Sequence, residues 1–214
     1  MNKNDLRFKK TEKLIIETFL QLIDEIGFEN TFVTTICERA MINRKTFYLH
    51  YIDRYDLLNH IYSQLKDVMI ESLSQQAILD LKNLNLYESV KWCITEANKH
   101  RDLLRILLKS STKEFRDILI DIFSKYPARQ IVKNFDEVAN NIEYEIISVY
   151  MCDAMIGFFD VWFNNYNALT LNEAINLMYE LVNQPAKIYM IKLLSDPKTV
   201  LIDSNLEIKS IFAR

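Results

Sequence analysis

The sequence predicts an all-α protein in which an N-terminal three-helix unit is joined by a long helix to a larger helical domain. Two Gly and three Pro among 214 residues leave few tight turns, which disfavours sandwiches and barrels built from many short strands. Half of the residues are hydrophobic, which is enough for a sizeable core. Because apolar residues also recur at helical spacing along most of the chain, long helices are the default interpretation.

The first three predicted helices form a small unit within residues 1–52. One helix covers residues 11–26, where apolar side chains share a helical face: Ile15, Phe19, Leu22, Ile23 and Ile26. Gly27 is then predicted to close this helix as a left-handed cap. The next two helices, at 33–40 and 44–51, are each about two turns long, and isolated helices below about 12 residues are marginal in water. They must therefore pack on the first helix and on each other.

The larger domain is predicted over residues 53–194, followed by a tail at 195–214 without a convincing period. A long helix begins at Asp53, and the segment 80–86 is a predicted break. Further helices are predicted near 87–99, 102–109, 112–126, 142–166 and 171–183, with Pro127 near the end of the third of them or kinking it. Asn183-Gln184-Pro185 is predicted to end or bend the last helix before a further helical segment near 186–194.

Residues 146–163 are apolar enough to be mistaken for a membrane span. Asp153 and Asp160 interrupt this segment, and each carboxylate at the middle of a bilayer would cost roughly 2.5–3.5 kcal/mol. A helix that is apolar nearly all round is also typical of a buried central or interface helix. We therefore predict a core helix and no membrane partner.

Cationic residues are concentrated in one short segment, although the net charge of the whole chain is −3. Between residues 39 and 54 the only acid is Asp53, against four cations: Arg39, Arg44, Lys45 and Arg54. Acidic residues dominate the rest of the chain. This distribution indicates a local nucleic-acid-binding face on a soluble body.

The segment 33–51 has the spacing of a helix-turn-helix, with Met41-Ile42-Asn43 as the turn. Asn43 is a favourable N-cap for the second helix, whose first-turn N–H donors would then point outward. A helix N-terminus aimed at a duplex offers these donors and a positive dipole end to phosphate. The second helix is therefore predicted to enter a groove of DNA.

Each polar side chain of the second helix has a predicted role. Arg44, Lys45 and Thr46 occupy its first turn, which is the part of a recognition helix that reaches base edges in the major groove. Arg44 can bind guanine through two hydrogen bonds, which discriminate against other bases by roughly 1–3 kcal/mol. Phosphate contacts are predicted for Tyr48, His50 and Arg54, whereas Phe47 and Tyr51 are predicted to face the small core.

Several short pieces of this region match a known family: Gly27-Phe28, Ile36 with Arg39-Ala40, Asn43-Arg44, Thr46-Phe47-Tyr48, His50-Tyr51 and Arg54 with Leu57. Through them, residues 11–62 resemble the N-terminal domain of the TetR/AcrR family of bacterial transcriptional repressors. The segment INRKTFYLHYIDRYDLL is most similar to the branch that includes regulators of dihydroxyacetone kinase operons. The rest of the chain matches only in its helical character and in an apolar helix near the C-terminus.

The resemblance implies a cytoplasmic, bacterial, homodimeric repressor without a cofactor, bound to a pseudo-palindromic operator in double-stranded DNA and released by a small-molecule effector. It also implies that five side chains face bases: Thr34, Arg44, Lys45, Thr46 and Leu49. Together with the cap Asn43 and the backbone contacts Tyr48, His50 and Arg54, these form the predicted DNA-binding set.

Two positions depart from the family pattern. Met41 stands in the turn where the family usually has Gly, and a non-Gly residue at positive φ costs about 1 kcal/mol, so this turn is predicted to be strained or shaped differently. Phe32 stands where Ser or Thr often caps the preceding helix, with Thr31 and Thr34 on either side. Neither departure removes a predicted DNA-facing side chain.

The body is predicted to dimerise through the helices at 142–166 and 171–194, because aromatic side chains surround the first of them and one small core cannot bury them all. A twofold pair would place two N-terminal three-helix units, here called the heads, about 34–36 Å apart, which matches successive major grooves. The predicted interface residues are Phe158, Phe159, Trp162, Leu177 and Leu181.

A pocket for an apolar or aromatic effector is predicted among the middle helices, lined by Trp92, His100, Phe115, Tyr126, Met151 and Met155. Simple core packing is an equally good interpretation of each of these residues. The three cysteines, Cys37, Cys93 and Cys152, are far apart and include no CxxC, which indicates a reducing compartment and small buried side chains.

Two other classes of function stay open at this stage. An enzyme is disfavoured because His occurs only at 50, 60 and 100, none in the spacing of HExxH or a nucleophile elbow, and no Gly-rich phosphate loop is present. The alternative to DNA binding is a helical protein–protein interaction module derived from such a regulator. In that case the cationic side chains of the second helix lie on an ordinary solvent-exposed surface.

Overall fold

The computed structural model describes residues 6–75, 86–110, 113–125, 129, 133–165 and 168–195, and these residues form helices and turns without a strand. The predicted all-α class is therefore confirmed. In chain order the helices are α1 (Leu6–Ile26), α2 (Val33–Arg39), α3 (Arg44–Phe47), α4 (Arg54–Gln75), α5 (Leu86–Lys99), α6 (Arg101–Ser110), α7 (Lys113–Ile120), α8 (Phe135–Val138), α9 (Ile142–Asn164) and α10 (Leu171–Ser195). A short 3₁₀ turn, Phe28–Asn30, precedes α2, and a π-helical turn, Asp121–Lys125, continues α7.

The first three helices pack around the apolar stripe of α1, which buries Ile15, Phe19, Leu22 and Ile23 against Ile36 of α2 and Phe47 of α3. α1 begins earlier than predicted, at Leu6, and its first turn buries Phe8. α3 is shorter than predicted: it ends at Phe47, and residues 48–50 form a turn before Tyr51 enters the core.

Gly27 ends α1 in a conformation that differs from the predicted left-handed cap. Its N–H donates to the carbonyl oxygen of Ile23 at 3.0 Å, but its φ of 80° and ψ of 158° lie in an extended region of positive φ. Only Gly enters that region readily, because a Cβ would clash with the backbone. The requirement for Gly is thus confirmed, while the specific cap geometry was wrong.

The long helix predicted from Asp53 is confirmed as α4, and Asp53 itself is its N-cap. The Asp53 carboxylate accepts the backbone N–H groups of Tyr55 and Asp56, each at 2.8 Å. The buried face of α4 carries Leu57, Leu58, Ile61, Tyr62, Leu65 and Met69. One end of this face packs in the N-terminal unit and the rest packs in the body, so that one continuous core runs through both.

Side chains of α4 connect it to α7 and its neighbours. The Tyr62 ring stacks on Phe115 with centroids 4.9 Å apart, and the Tyr62 hydroxyl lies 3.0 Å from Ser110 Oγ. Lys66 Nζ lies 2.6 Å from a carboxylate oxygen of Asp121 in the π-helical turn. Any change in the tilt of α4 therefore has to move α7 as well or break these contacts.

The N-terminal unit also contacts the body through one acidic residue of α1. The Asp24 carboxylate accepts two hydrogen bonds from the Arg105 guanidinium, at 2.9 and 2.7 Å, and a further one from Lys109, both on α6. The hydrogen bonds from Arg105, followed by those from Lys109, lower the pKa of Asp24 from its ordinary 3.8 to about 2. A charged Asp24 thus joins α1 to α6 at neutral pH.

α9 packs one face on its neighbours and leaves the other exposed. Its buried side chains include Tyr144, Cys152, Met155, Phe159 and Phe163, and the exposed ones include Ile146, Tyr150 and Val161. By length and composition alone, α9 is the one helix among the described residues that could cross a membrane. Asn141 caps it, and Asp153 of its exposed side is paired with Arg116 of α7.

α10 is continuous where the chain was predicted to end or bend a helix. It runs from Leu171 to Ser195 through Asn183-Gln184-Pro185, so the predicted end of the helix was wrong, and the alternative of a bend stays a prediction. Val182 and Leu193 are buried on either side of the proline, and this packing outweighs its local preference against helix. The predicted features at 80–85, at Pro127 and in the tail beyond residue 195 lie outside the described residues.

Candidate nucleic-acid interface

The turn between α2 and α3 is built around Met41. The Ile42 N–H donates to the Cys37 carbonyl oxygen at 3.0 Å and the Met41 N–H donates to that of Glu38 at 3.2 Å. These two bonds form a Schellman motif, which places its central residue at positive φ and usually uses Gly there. Met41 has a φ of 53°, so the predicted strain in this turn is present.

Asn43 caps α3 as predicted. Its side-chain Oδ1 accepts the backbone N–H of Lys45 at 2.8 Å. At the start of α2 the position of the cap is taken by Phe32, whose side chain makes no capping hydrogen bond. The first helix of the pair is therefore left without the Ser or Thr cap that the family pattern provides.

The segment that begins with α3 presents cations and apolar side chains together on one exposed face. Arg44, Lys45, Tyr48 and Leu49 are all exposed, whereas Phe47 and Tyr51 between them are buried in the core. Thr34 of α2 and Thr46 of α3 are half-buried. The structure thus places six of the nine predicted DNA-binding residues together in one short segment, Asn43, Arg44, Lys45, Thr46, Tyr48 and Leu49, and the seventh, Thr34, lies on α2, which packs against α3.

His50 does not lie on this face. Its ring stacks on Phe8 of α1 with centroids 3.9 Å apart, and both ring nitrogens are buried without a hydrogen-bond partner in the part of the chain that is described. Burial also lowers the pKa of His50, which favours the neutral imidazole. The geometry therefore does not support the predicted phosphate contact, because the nitrogens that would donate to a phosphate are covered.

Arg54 is also turned inward. Its Nη1 donates to the carbonyl oxygens of Phe28, Glu29 and Thr31, each at 3.1 Å. Three aromatic rings surround the guanidinium, with distances to the ring centroids of 4.7 Å for Phe28, 5.2 Å for Phe32 and 5.1 Å for Tyr55. In this structure Arg54 holds the segment before α2 in place, and its geometry does not support the predicted phosphate contact.

The start of α1 adds cations that the sequence interpretation left out. Lys9, Lys10 and Lys13 are exposed, and the Phe8–His50 stack fixes this part of α1 beside the turn that follows α3. The signal in the sequence was the spacing of Phe8, seven residues before the buried Ile15 and therefore on the same helical face.

The residues predicted to line an effector pocket have several different environments. Phe115 stacks on Tyr62, Trp92 Nε1 donates to Ser72 Oγ at 3.2 Å, and Met155 is buried in the same core. His100 lies nearer the surface, with Nε2 3.4 Å from a carboxylate oxygen of Glu96. Met151 is half-buried, and Tyr126 lies outside the described residues. These contacts agree with core packing, and the pocket stays a prediction.

The predicted dimer residues divide into two groups. Leu177 and Leu181 are exposed on α10, and Phe158 is half-buried on α9. Phe159 and Trp162, each with 4% of its surface exposed, already pack inside the single chain and have almost no surface left for a partner. The single core therefore buries Phe159 and Trp162 but not every aromatic residue of α9, whose exposed stripe carries Ile146, Tyr150 and Val161.

The three cysteines are free and buried. Burial raises the pKa of Cys93 and of Cys152 above the ordinary value of 9.0, so that both remain neutral thiols at physiological pH. This agrees with the interpretation of the cysteines as small apolar side chains.

The fold is that of TetR-type transcriptional regulators. The chain is similar to a TetR transcriptional regulator from Streptococcus agalactiae 2603V, with a TM-score of 0.57, 18% identity and coverage of 82% of this chain and 95% of the other. A TetR-like transcriptional regulator from Rhodococcus sp. RHA1 is similar with a TM-score of 0.54, 16% identity and the same coverage. No protein-family model matches the sequence, and no curated protein is significantly similar to it.

The dihydroxyacetone kinase operon activator DhaS is also similar, with 16% identity and coverage of 85% of this chain and 97% of the other. Its TM-score of 0.46 is too low to favour one branch of these regulators over another. The predicted relation to that branch therefore stays a prediction.

Proposed function

We propose that the protein is a transcriptional regulator that binds double-stranded DNA in a sequence-specific manner. The observation that carries this proposal is the exposed face of Arg44, Lys45, Tyr48 and Leu49 on a capped helix whose opposite side is anchored by Phe47. A helix held in this way projects long donors from a rigid support, as direct reading of base edges requires.

Each side chain of this face has a role in the proposal. Arg44 and Lys45 in the first turn reach acceptors of guanine in the major groove, and Tyr48 donates its hydroxyl to a phosphate. Thr34 and Thr46 supply shorter contacts at the edge of the face. The exposed lysines of α1, Lys9 and Lys10, extend the cationic surface beyond the helix-turn-helix, so that they add phosphate contacts without reading sequence.

The protein binds as a homodimer in this proposal. The exposed apolar stripe of α9 and the exposed leucines of α10, Leu177 and Leu181, offer a surface that a second copy can cover. Two copies related by a twofold axis present two heads to successive major grooves, about 34–36 Å apart, on a pseudo-palindromic operator.

Regulation follows from the way α4 connects head and body. Its contacts with α7, through Tyr62 and Lys66, transmit a change of the body to the head. A small molecule that binds one arrangement of the body better than the other would shift the separation of the heads, releasing a repressor from its operator. The coupling required is typically about 1–3 kcal/mol.

The proposal is tested by selecting binding sites from random duplexes and comparing two matched variants. Arg44→Ala should lose about 5- to 150-fold in preference for each half-site of the selected operator, the equivalent of one bidentate base contact. Arg39→Ala is the control, because it removes the same charge from the same three-helix unit. The Arg39 guanidinium donates to the Glu25 carboxylate at 3.0 and 2.9 Å, so the preference of Arg39→Ala for the selected site should equal that of the native protein. An unchanged preference in Arg44→Ala would show that another surface reads the DNA.

A further inference from the structure

Apolar side chains are interleaved with the cations of the proposed DNA-binding face. Leu49 has 51% of its surface exposed and Tyr48 has 57%, and Leu49 lies one helical turn after Lys45. A single exposed leucine on a protein surface is ordinary. This one differs because it stands on the face that carries the base-reading cations.

Leu49 is held in a defined position although its side chain is exposed. Its N–H donates to the carbonyl oxygen of Thr46 at 3.2 Å, and the residues on either side of the turn are anchored by buried rings. Phe47 is fully buried, and His50 is stacked on Phe8. The backbone that carries the isobutyl group is therefore fixed relative to the backbone of Arg44 and Lys45 before any DNA is bound.

A leucine side chain has no hydrogen-bond donor or acceptor, which limits what it can recognise in a groove. The only apolar group that a base pair presents in the major groove is the C5-methyl group of thymine. Contact with any other base edge would leave a polar group facing hydrocarbon without a partner. Leu49 can therefore discriminate between bases only by the presence of that methyl group.

We propose that Leu49 reads a thymine in each half-site of the operator through the C5-methyl group, next to a base pair read by Arg44 or Lys45. The inference rests on the proposed function, since it names the base class that this face selects. Covering one methyl group contributes about fourfold in affinity, and two symmetric half-sites contribute about fifteenfold.

The test replaces each thymine of a selected operator, symmetrically in both half-sites, with deoxyuridine, which differs only by the missing methyl group. Full-length protein should bind one of these duplexes about fifteenfold more weakly than the thymine operator. Leu49→Ala should bind that duplex and the thymine operator equally well. Ile52→Ala, which truncates an exposed apolar residue beyond the turn, should keep the native response to deoxyuridine.

The outcomes separate this inference from the proposed function. Equal affinity of the native protein for every deoxyuridine duplex, or a selected half-site without thymine, overturns the role of Leu49 while DNA binding stands. A full response to deoxyuridine in Leu49→Ala also overturns it, because another group must then contact the methyl. Failure to select any duplex overturns both proposals together. Thermal unfolding of each variant checks that it is folded.

Discussion

Met41 occupies a position that a glycine would occupy at lower free energy. Its φ of 53° is imposed by the two hydrogen bonds of the turn after α2, and its side chain, with 93% of its surface exposed, has little packing to offset the strain. We expect Met41→Gly to raise the free energy of unfolding by about 0.5–1 kcal/mol, because the gain from relieved strain exceeds the extra chain entropy of Gly.

Urea unfolding of Met41→Gly and Met41→Ala measures this effect directly. Alanine removes the same side chain but keeps its Cβ, so Met41→Ala should unfold close to the native midpoint. If both variants were stabilised equally, the gain would come from the lost methionine side chain and the strain would have no part in it.

Arg54 is expected to act through the fold of the head. Arg54→Met removes the donor of three carbonyl oxygens and the cation that lies against the rings of Phe28, Phe32 and Tyr55, so it should lower the free energy of unfolding by about 1.5–3 kcal/mol. Chemical denaturation without DNA measures this loss. If Arg54 contacted a phosphate instead, Arg54→Met would leave the stability unchanged. The slope of the logarithm of the DNA-binding constant against the logarithm of salt concentration would then be less steep by about one unit.

His50 and Arg54 show why residue type and spacing could not place every side chain of the candidate site. Their partners, Phe8 and the 3₁₀ turn at Phe28–Asn30, lie more than twenty residues away in the sequence. The local sequence pattern identified His50 and Arg54 as candidate DNA contacts, but only the packing of distant segments decides whether their side chains face solvent. The cap at Asn43 and the exposure of Arg44 and Lys45 were predicted correctly because they depend on one local turn of the chain.

At the scale of elements, the long periodic helices were predictable and the short ones less so. α4 has a capping Asp53 and a sustained apolar face, and both signals are local. The helix following Asn43 was predicted to continue to residue 51, yet it ends at Phe47, and a turn over residues 48–50 leads to the buried Tyr51. α10 continues through Pro185 because burial on both sides of the proline overrides its local preference.

The contact between α1 and α6 should depend on pH. The pKa of Asp24 is lowered by Arg105 and Lys109, so its contribution to stability is complete above its ordinary value of 3.8 and is lost as the pH falls toward about 2. We expect Asp24→Asn to lower the free energy of unfolding near neutral pH. The difference between the native protein and this variant should shrink progressively from about pH 4 to about pH 2.

Denaturant unfolding over this pH range gives the measurement. Glu25→Gln is the matched control, because Glu25 is the neighbouring acid and its pair with Arg39 is exposed on both sides, where ion pairs contribute little. A difference for Asp24→Asn that stays constant as the pH falls would mean that the charge of Asp24 does not join α1 to α6.

At the scale of the whole molecule, the exposed apolar surface of α9 and α10 should determine the oligomeric state. Leu177→Glu combined with Leu181→Glu places two charges where the proposed twofold mate would pack, so the dimer should weaken by about 100-fold or more. Analytical ultracentrifugation should then show the monomer mass at concentrations where the native protein has twice that mass.

The control for the dimer is Leu14→Glu, which changes an exposed leucine on α1, away from these helices, and should leave the mass unchanged. The double variant should also bind a full operator more weakly and a single half-site as well as before, because each head keeps its own contacts. A native protein that sediments as a monomer would contradict the proposed assembly.

The central claim is that the face of Arg44, Lys45, Tyr48 and Leu49 binds a DNA duplex, and the salt dependence of operator affinity tests it most directly. The logarithm of the binding constant should fall linearly with the logarithm of salt concentration between about 50 and 200 mM, with a slope of about −0.9 for each phosphate contacted. A protein with no measurable affinity for any selected duplex, or with an affinity that does not respond to salt, would contradict the account.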